Sequence, residues 1–555
     1  MGAAVRSNKF RGTCRECGNE VPAQAGTLNR EGGEWIVRHR DGECGEGIAE
    51  AAAEKFAPTA EQQKALDLFT SGESMVIEAG AGTGKTSTLK LLAESTDRRG
   101  QYVAFNKAIV DESSAKFPAN VACNTAHSLA FRAVGKNYSK RLKAPRQTST
   151  QVARTLGIDP ITVTVGGVER RTLGASFLAS RVMQAVTRFC QSADETPSRR
   201  HFPYIDGIDL PDANGRRTFA NNDEVAAALL PAVNAAWSDL QNTEGSLRFG
   251  HDHYLKIWQL GEPKINADFI LFDEAQDANP VMAAIVAAQT DAQVVYVGDS
   301  QQAIYEFTGA VNALANIDSD HRVFLTQSFR FGPAIAEQAN LVLSMLDAEL
   351  RLVGTPTITS TVGLVDREDA VLCRTNAHAV ETVLAFQEVG RRPHLVGGGV
   401  EVVKFAKAAR DLQTQGHTDH PELGCFDSWD AVVAYVDEEE GADLKLMVKL
   451  VEKFGIPTIL SALDQMPSES DADVIVSTAH KAKGREWDRV RIGQDFPIER
   501  EKLGPAELRL IYVAVTRAKL ALDMAAIAEL FGGGEDDEDV DLDDEALRWV
   551  DGVDA

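Results

Sequence analysis

The residues Ala79-Gly80-Ala81-Gly82-Thr83-Gly84-Lys85-Thr86 carry the densest chemical information in the chain. They follow the apolar run Met75-Val76-Ile77 and precede an apolar-periodic segment from Leu89 to Leu92. A glycine-rich turn between strand and helix aims successive backbone N–H groups, and the positive end of the helix, at one point. That point suits a triphosphate. Lys85 would reach its β- and γ-phosphates and Thr86 would hold Mg²⁺. Ala79 stands where the generic pattern has its first glycine, and every other position fits.

A second cluster supplies acids. Asp273-Glu274-Ala275-Gln276-Asp277 directly follows the apolar run Phe269 to Phe272. Carboxylates at the C-terminal edge of a parallel strand face the crevice where ligands bind. Asp273 can hold Mg²⁺ through water, and Glu274 can orient and deprotonate an attacking water. After the next strand, Val294-Val295-Tyr296-Val297, comes Gly298-Asp299-Ser300-Gln301-Gln302. Gln302 is placed to sense a γ-phosphate. Tyr305 and Phe307 either stack on bases or belong to the core.

A third set lies near the start of the chain. Cys14 and Cys17, two residues apart on a knuckle, are followed by His39 and Cys44. Together they form four soft ligands suited to tetrahedral zinc, with Trp35-Ile36-Val37 as a strand delivering one pair. A segment this small lacks the core to fold without a staple, so a structural Zn²⁺ is expected.

Positioning these groups requires alternating strands and helices. From about Phe56 to Val134 the pattern alternates in that way, as for a parallel sheet covered by helices. Residues 135–254 read as a largely helical, partly basic insertion. Strands resume at Phe269–Phe272, and a second α/β region runs over 331–530, with strands near Ala370–Cys373 and Val474–Val476. Gly532-Gly533-Gly534 opens an acidic tail over 531–555, expected to be disordered. Leu542, Ala546, Trp549, Val550 and Val553 recur there at helical spacing, which suits a helix for a protein partner or a frayed end.

The length of 555 residues allows several well-cored domains, and 44% hydrophobic with 25% charged residues is ordinary for a soluble protein. No uncharged apolar run is long enough to span a membrane. The polar, basic N-terminus does not read as a secretion signal, and seven scattered cysteines suit a reducing compartment. A cytoplasmic protein is expected, nucleoid-associated in a bacterial host. The net charge of −25 is partly local, because eleven carboxylates face one Arg548 between Glu535 and Asp554. Phosphate binding depends on local basic paths, not on the sum. Lys136-Lys140-Arg141-Lys143-Arg146 and Arg199-Arg200-His201 are candidate paths or ordinary solvated faces.

In order and spacing these motifs resemble the motor core of superfamily-one helicases of the UvrD/Rep/PcrA type, closest to the F-box DNA helicase branch. The resemblance covers roughly residues 56–525 and includes the leading alanine of the phosphate loop. It implies an α/β fold with two RecA-like parallel-sheet motor domains, the first built from 56–134 and 255–330, the second from 331–530. The small N-terminal zinc-ribbon-like module, 1–55, lies outside that core. By this resemblance Gln62 reads the adenine edge of ATP. Asn106 and Lys107, in Ala104-Phe105-Asn106-Lys107-Ala108, and Thr125 and His127 contact a DNA strand. Phe329 packs on the base and Arg330 touches the γ-phosphate. Cys373-Arg374-Thr375-Asn376-Ala377 is similar to a further element of the second domain. In the stretch Ser477 to Trp487, Thr478 and His480 contact DNA, while Gly484 and Glu486 contact the nucleotide. Arg517, in Tyr512-Val513-Ala514-Val515-Thr516-Arg517-Ala518, is the second arginine to the transferred phosphate.

The expectation is therefore an ATP- and Mg²⁺-dependent motor moving 3′→5′ on single-stranded DNA, unwinding tailed duplex or displacing bound protein in repair, recombination or replication. Lys85 and Glu274 are expected on one domain, Arg330 and Arg517 on the other, so that hydrolysis requires a closed cleft. Two departures stand out. Thr308 replaces an arginine that in the family helps link strand binding to hydrolysis, and the span from Arg330 to Val474 is too short for the large second accessory domain of longer relatives. An ATP-gated DNA-binding or recruitment protein with weak unwinding is the alternative. A helicase–nuclease is disfavoured, because no carboxylate-plus-lysine nuclease cluster follows residue 530.

Overall fold

The computed structural model describes residues 6–7, 12–15, 20–21, 26–31, 34–39, 57–104, 107–145, 147–205, 208–210, 212, 216, 218–304, 314, 317, 319–418, 420, 422–423, 426, 428–437, 444–499 and 503–531. Two compact units divide the chain, residues 1–63 and 64–555.

In the first unit the strands Gly26–Glu31 and Glu34–His39 pair antiparallel, and Arg6–Ser7 adds to the former. Gly12–Thr13 pairs with Glu20–Val21, and Cys14, fully buried, bridges to Val37. The expected strand around Trp35-Ile36-Val37 is present and ends at His39. Cys17 and Cys44 lie outside the described residues, as do the whole acidic tail from Gly532, Asn106, Tyr305, Phe307 and Thr308.

The second unit contains two six-stranded sheets, each entirely parallel. The first runs Arg322–Leu325, Met75–Ala79, Gln293–Gly298, Phe269–Phe272, Gly100–Ala104, Val121–Thr125. The second runs Thr361–Val362, Ala518–Asp523, Trp487–Ile492, Ala370–Cys373, Val474–Thr478, Pro393–Leu395. Parallel strands are covered on both faces, so they are apolar throughout rather than alternating. Phe269–Phe272 and Gln293–Gly298 are accordingly buried at every residue.

The stretch expected as an insertion folds as the helices Ser149–Leu156, Ala175–Gln191 and Ala220–Gln241 with an antiparallel hairpin, Ile161–Val165 with Glu169–Leu173. Their apolar faces share one continuous core with a face of the first sheet, from Leu178 and Val182 to Ile270 and Phe272. Two cations are buried here as helix caps. Arg141 points at the C-terminal carbonyls of Ala220–Gln241, reaching Asp239 O at 3.0 Å and lying over Phe249. Lys256 similarly donates to Ser192 O at 2.8 Å, just past the helix Ala175–Gln191. Terminal carbonyls without intrahelical partners, and the negative end of the dipole, favour a cation at each place. Arg141 is thus removed from the first candidate basic path, whereas Lys136, Lys140 and Lys143 are exposed. In the second path Arg200 and His201 both pair with Asp194.

In the second sheet's lobe the helices Asn376–Glu388, Val400–Gln415, Lys445–Phe454 and Ile456–Asp464 pack together. Pro333–Met345 and Pro505–Val515 make a separate core that also takes in Ala81 and Ile304 from the first lobe. Every residue of the latter helix from Leu510 to Val515 is buried, which fixes its last turn, and Arg517 just beyond it, at the seam between the lobes. No helix among the described residues is long and apolar enough to cross a membrane.

Candidate functional site

The strand Met75–Ala79 delivers the loop Gly80–Gly84 to the C-terminal edge of the first sheet, and the helix Lys85–Glu94 leaves from it. Gly82 and Gly84 have φ of 74° and 80°, conformations that L side chains rarely take. At Gly82 a Cβ would also come within 2.6 Å of Arg330 Cβ. The Thr83 hydroxyl closes the turn on Gly80 O at 2.8 Å. Lys85 and Thr86 occupy the first turn of the helix.

Facing the loop are the carboxylates that follow Phe272. Glu274 Oε1 lies 3.3 Å from Lys85 Nζ. Asp273 and Glu274 share the pocket with opposite electrostatic outcomes. Burial, and then the neighbouring Glu274, push the Asp273 carboxyl upward. Burial opposes the charge on Glu274 too, but Lys85 and Lys483 outweigh it and hold that carboxyl down. Burial works against the Lys85 ammonium, yet Glu274, Asp299 and Asp273 together raise it. Glu274 adopts φ 52°, one of three non-glycine residues with positive φ among those described. A left-handed backbone at a half-buried acid is a mark of functional sites.

Asp299, also buried, accepts from Gln302 Nε2 at 2.6 Å and from the Tyr512 hydroxyl at 3.2 Å. The same tyrosine oxygen accepts from Ala81 N–H at 3.2 Å. Arg517, 1% exposed, gives Nη2 to Gln302 Oε1 at 3.3 Å and to Thr516 Oγ1 at 2.9 Å, and Nε to Val513 O at 2.8 Å. Burial, then the nearby Arg330 charge, draws the Arg517 guanidinium down from its ordinary value. Arg330 itself donates to Glu486 Oε2 at 2.8 Å and Thr516 O at 3.0 Å.

Arg330 departs from the sequence expectation in one respect. It follows the edge strand Arg322–Leu325 of the first sheet, not the second. Ser328 Oγ donates to Ala81 O and Phe329 N–H to Gly82 O, so the segment is stitched to the glycine loop. The guanidinium therefore reaches the seam from the first lobe, and Arg517 alone of the pair comes from the second. Phe329 is 45% exposed beside it.

Lys483 and Asp277 also meet across the seam. Lys483 Nζ lies 2.7 and 2.6 Å from the two oxygens of Asp277 and 2.6 Å from Gln302 O. Both side chains are about nine-tenths buried. Gly484, next along, has φ 81°.

The expected strand-contacting residues occupy matching places at the ends of two strands. Thr125 caps the helix Ala126–Ala133 by accepting from Ser128 N–H, and Thr478 caps Ala479–Ala482 by accepting from Lys481 N–H. His127 pairs with Asp252 at 3.2 Å. Burial, and then Arg374, hold the His480 imidazole below its ordinary value. Lys107 is exposed at the start of the helix Lys107–Ser114. In the first unit, Gln62 and Thr59 cap one another, Thr59 N–H to Gln62 Oε1 at 3.0 Å and Gln62 N–H to Thr59 Oγ1 at 3.2 Å. The zinc set is represented among described residues by Cys14 and His39. A different trio, Cys373, His378 and Asp495, brings ligand atoms together. However, Asp495 already accepts from Arg374 N–H, Thr375 N–H and the Thr375 hydroxyl, and burial holds Cys373 as a thiol. That trio is a loop clamp.

Residues 62–308 match a family model described as an AAA domain, and residues 426–529 one described as a UvrD-like helicase C-terminal domain. The chain is 32% identical over 534 residues to F-box DNA helicase 1 of Gallus gallus, covering 88% of this chain and 51% of that protein. It is 30% identical over 517 residues to F-box DNA helicase protein 1 of Schizosaccharomyces pombe, covering 84% and 57%. Against DNA helicase IV of Escherichia coli it is 23% identical over 464 residues, covering 75% and 66%.

The chain belongs to the UvrD-like superfamily 1 helicases. It spans little more than half the length of the two F-box helicases it matches. Its two parallel sheets meet at a seam, and acids, lysine, glutamine and arginines converge there.

Proposed function

We propose that this chain is an ATP-driven motor that moves 3′→5′ on single-stranded DNA and unwinds tailed duplex or displaces bound protein, in DNA repair, recombination or replication. The observation that carries it is Arg517: a second-lobe arginine, fully buried, whose guanidinium ends on Gln302 of the first lobe. A group that completes the site only across the seam makes turnover depend on how the lobes stand.

In this reading the loop Ala79–Thr86 cradles the triphosphate, Gln62 selects adenine and Phe329 packs on the base. Gly484 and Glu486 border the nucleotide. The donor set of Thr86 and Asp273 is all oxygen and partly anionic, which fits Mg²⁺; when bound, that ion neutralises charge on the phosphates. Glu274, kept ionised by Lys85, orients the attacking water and takes its proton. Gln302 senses the γ-phosphate. Arg330 and Arg517 neutralise charge that builds on the transferred group, an effect on the order of 10³–10⁵ in rate in related transfers. The strand path runs over Asn106, Lys107, Thr125 and His127 in the first lobe, Tyr305 and Phe307 beyond Gln302, and Thr478 and His480 in the second. His127 would exchange Asp252 for the strand, and His480, neutral, would contact it by hydrogen bonding. We further propose a structural Zn²⁺ on Cys14, Cys17, His39 and Cys44, and a protein partner for the acidic tail.

One set of assays tests the reading: ATPase with and without single-stranded DNA, translocation direction, and strand displacement on tailed duplexes. ATP hydrolysis indifferent to single-stranded DNA overturns it. Thr308, where the family resemblance implies an arginine, favours a second reading of ATP-gated binding with weak unwinding. Gain of strand displacement in Thr308→Arg supports that reading, and strong displacement by the native chain excludes it.

A further inference from the structure

Tyr102 lies on the strand Gly100–Ala104, which pairs directly with the strand ending at Phe272. Its side chain is 0% exposed and packs against Phe117 at a ring-centroid distance of 4.9 Å. A phenol this deep needs a partner for its O–H. It donates to Asp273 Oδ2 at 2.7 Å, while Asp273 Oδ1 accepts the Glu274 N–H at 2.9 Å. Each carboxylate oxygen is thus tied on one side, and the plane of the group is set. Ser113, buried in the last turn of the helix Lys107–Ser114, lies on the same side of the sheet.

We propose that Tyr102 is a positioning residue for the magnesium ion: its hydroxyl fixes Asp273 in the orientation that receives the cation. The inference rests on the reading of Asp273 given under the proposed function. Phenylalanine would fill the same volume against Phe117, so packing alone does not account for a hydroxyl at this place. Groups that orient metal-binding carboxylates typically contribute 10–100-fold to metal affinity.

The test follows binding, not turnover. The full chain is titrated with a fluorescent N-methylanthraniloyl ADP at increasing Mg²⁺. In the native chain Mg²⁺ should tighten nucleotide binding. In Tyr102→Phe the Mg²⁺ needed for half the effect should rise about tenfold, with metal-free nucleotide affinity unchanged. A Tyr102→Phe value within about twofold of native overturns the inference, and so does loss of metal-free binding in that variant, which would signal general damage. Should Tyr102→Phe fail to fold, Tyr102→Met decides alone, and an unchanged Mg²⁺ requirement there refutes it. Absence of any Mg²⁺ effect in the native chain would instead remove the reading of Asp273 beneath it, and the inference with it.

Discussion

Lys483 and Asp277 form a nearly dry ion pair across the seam between the two parallel sheets, the lysine nitrogen 2.6 Å from one carboxylate oxygen and 2.7 Å from the other. Removing one partner of such a pair strands a charge away from water, at a cost of about 3–5 kcal/mol, whereas removing both costs far less. Denaturant unfolding should therefore show Lys483→Met and Asp277→Asn each strongly destabilising, and the double variant milder than their sum by more than about 1 kcal/mol. Strict additivity would mean that the pair does not hold the lobes together.

Lys85→Ala should bring ATP turnover to background while leaving binding to a single-stranded oligonucleotide within a few-fold of native. Its ammonium faces both the expected phosphates and Glu274, so the loss falls on the nucleotide side alone. Turnover measured beside oligonucleotide anisotropy checks both halves. Retained hydrolysis would displace Lys85 from the phosphate site.

Asp252 carries a pH signature. Its carboxyl is held below the ordinary 3.8 chiefly by the hydrogen bond from His127. A carboxylate whose native value is depressed stabilises the fold above the unfolded value, and that stabilisation disappears as pH falls through the native one. Thermal denaturation of native and Asp252→Asn chains should differ clearly above the ordinary 3.8 and converge once pH falls below the depressed native value. A gap that persists at the acid end would show that charge on Asp252 is not its source.

Purified chain should carry about one equivalent of zinc, and Cys14→Ser should lose it. Metal analysis after chelator dialysis gives the count. Metal-free protein with an intact, protease-resistant N-terminal unit would dismiss the ligand set.

The parts of the site that are contiguous in sequence were legible from sequence. The glycine loop, the acids after Phe272 and the glutamine after Gly298 each sit at the end of an apolar run, and strand-end placement follows from that alone. Thr125 and Thr478 were legible as positions, but their capping of short helices depends on backbone geometry. Lys483 and Asp277 stand 206 residues apart. Nothing local to either marks it as a partner of the other. Arg141 shows the opposite failure: a basic residue in a basic run looks solvated until the helix end it covers is seen. Tyr102 reads as one more aromatic strand residue, and only the pairing of its strand with Phe269–Phe272 gives its hydroxyl a meaning. Arg330 falls inside the 255–330 bounds of the first domain, yet was expected to act with Arg517 from the other, because the edge strand Arg322–Leu325 is too short and mixed to announce itself.

The left-handed torsion at Glu274 has a thermodynamic consequence. A residue with a Cβ sits there at a penalty of about 1–2 kcal/mol that glycine escapes. Glu274→Gly should therefore melt no lower than Glu274→Ala, while losing the ATP turnover proposed to depend on this acid. The native sequence holds its acid in place against the preference of its own backbone, so resilience to heat and the proposed handling of water pull this single position in opposite directions.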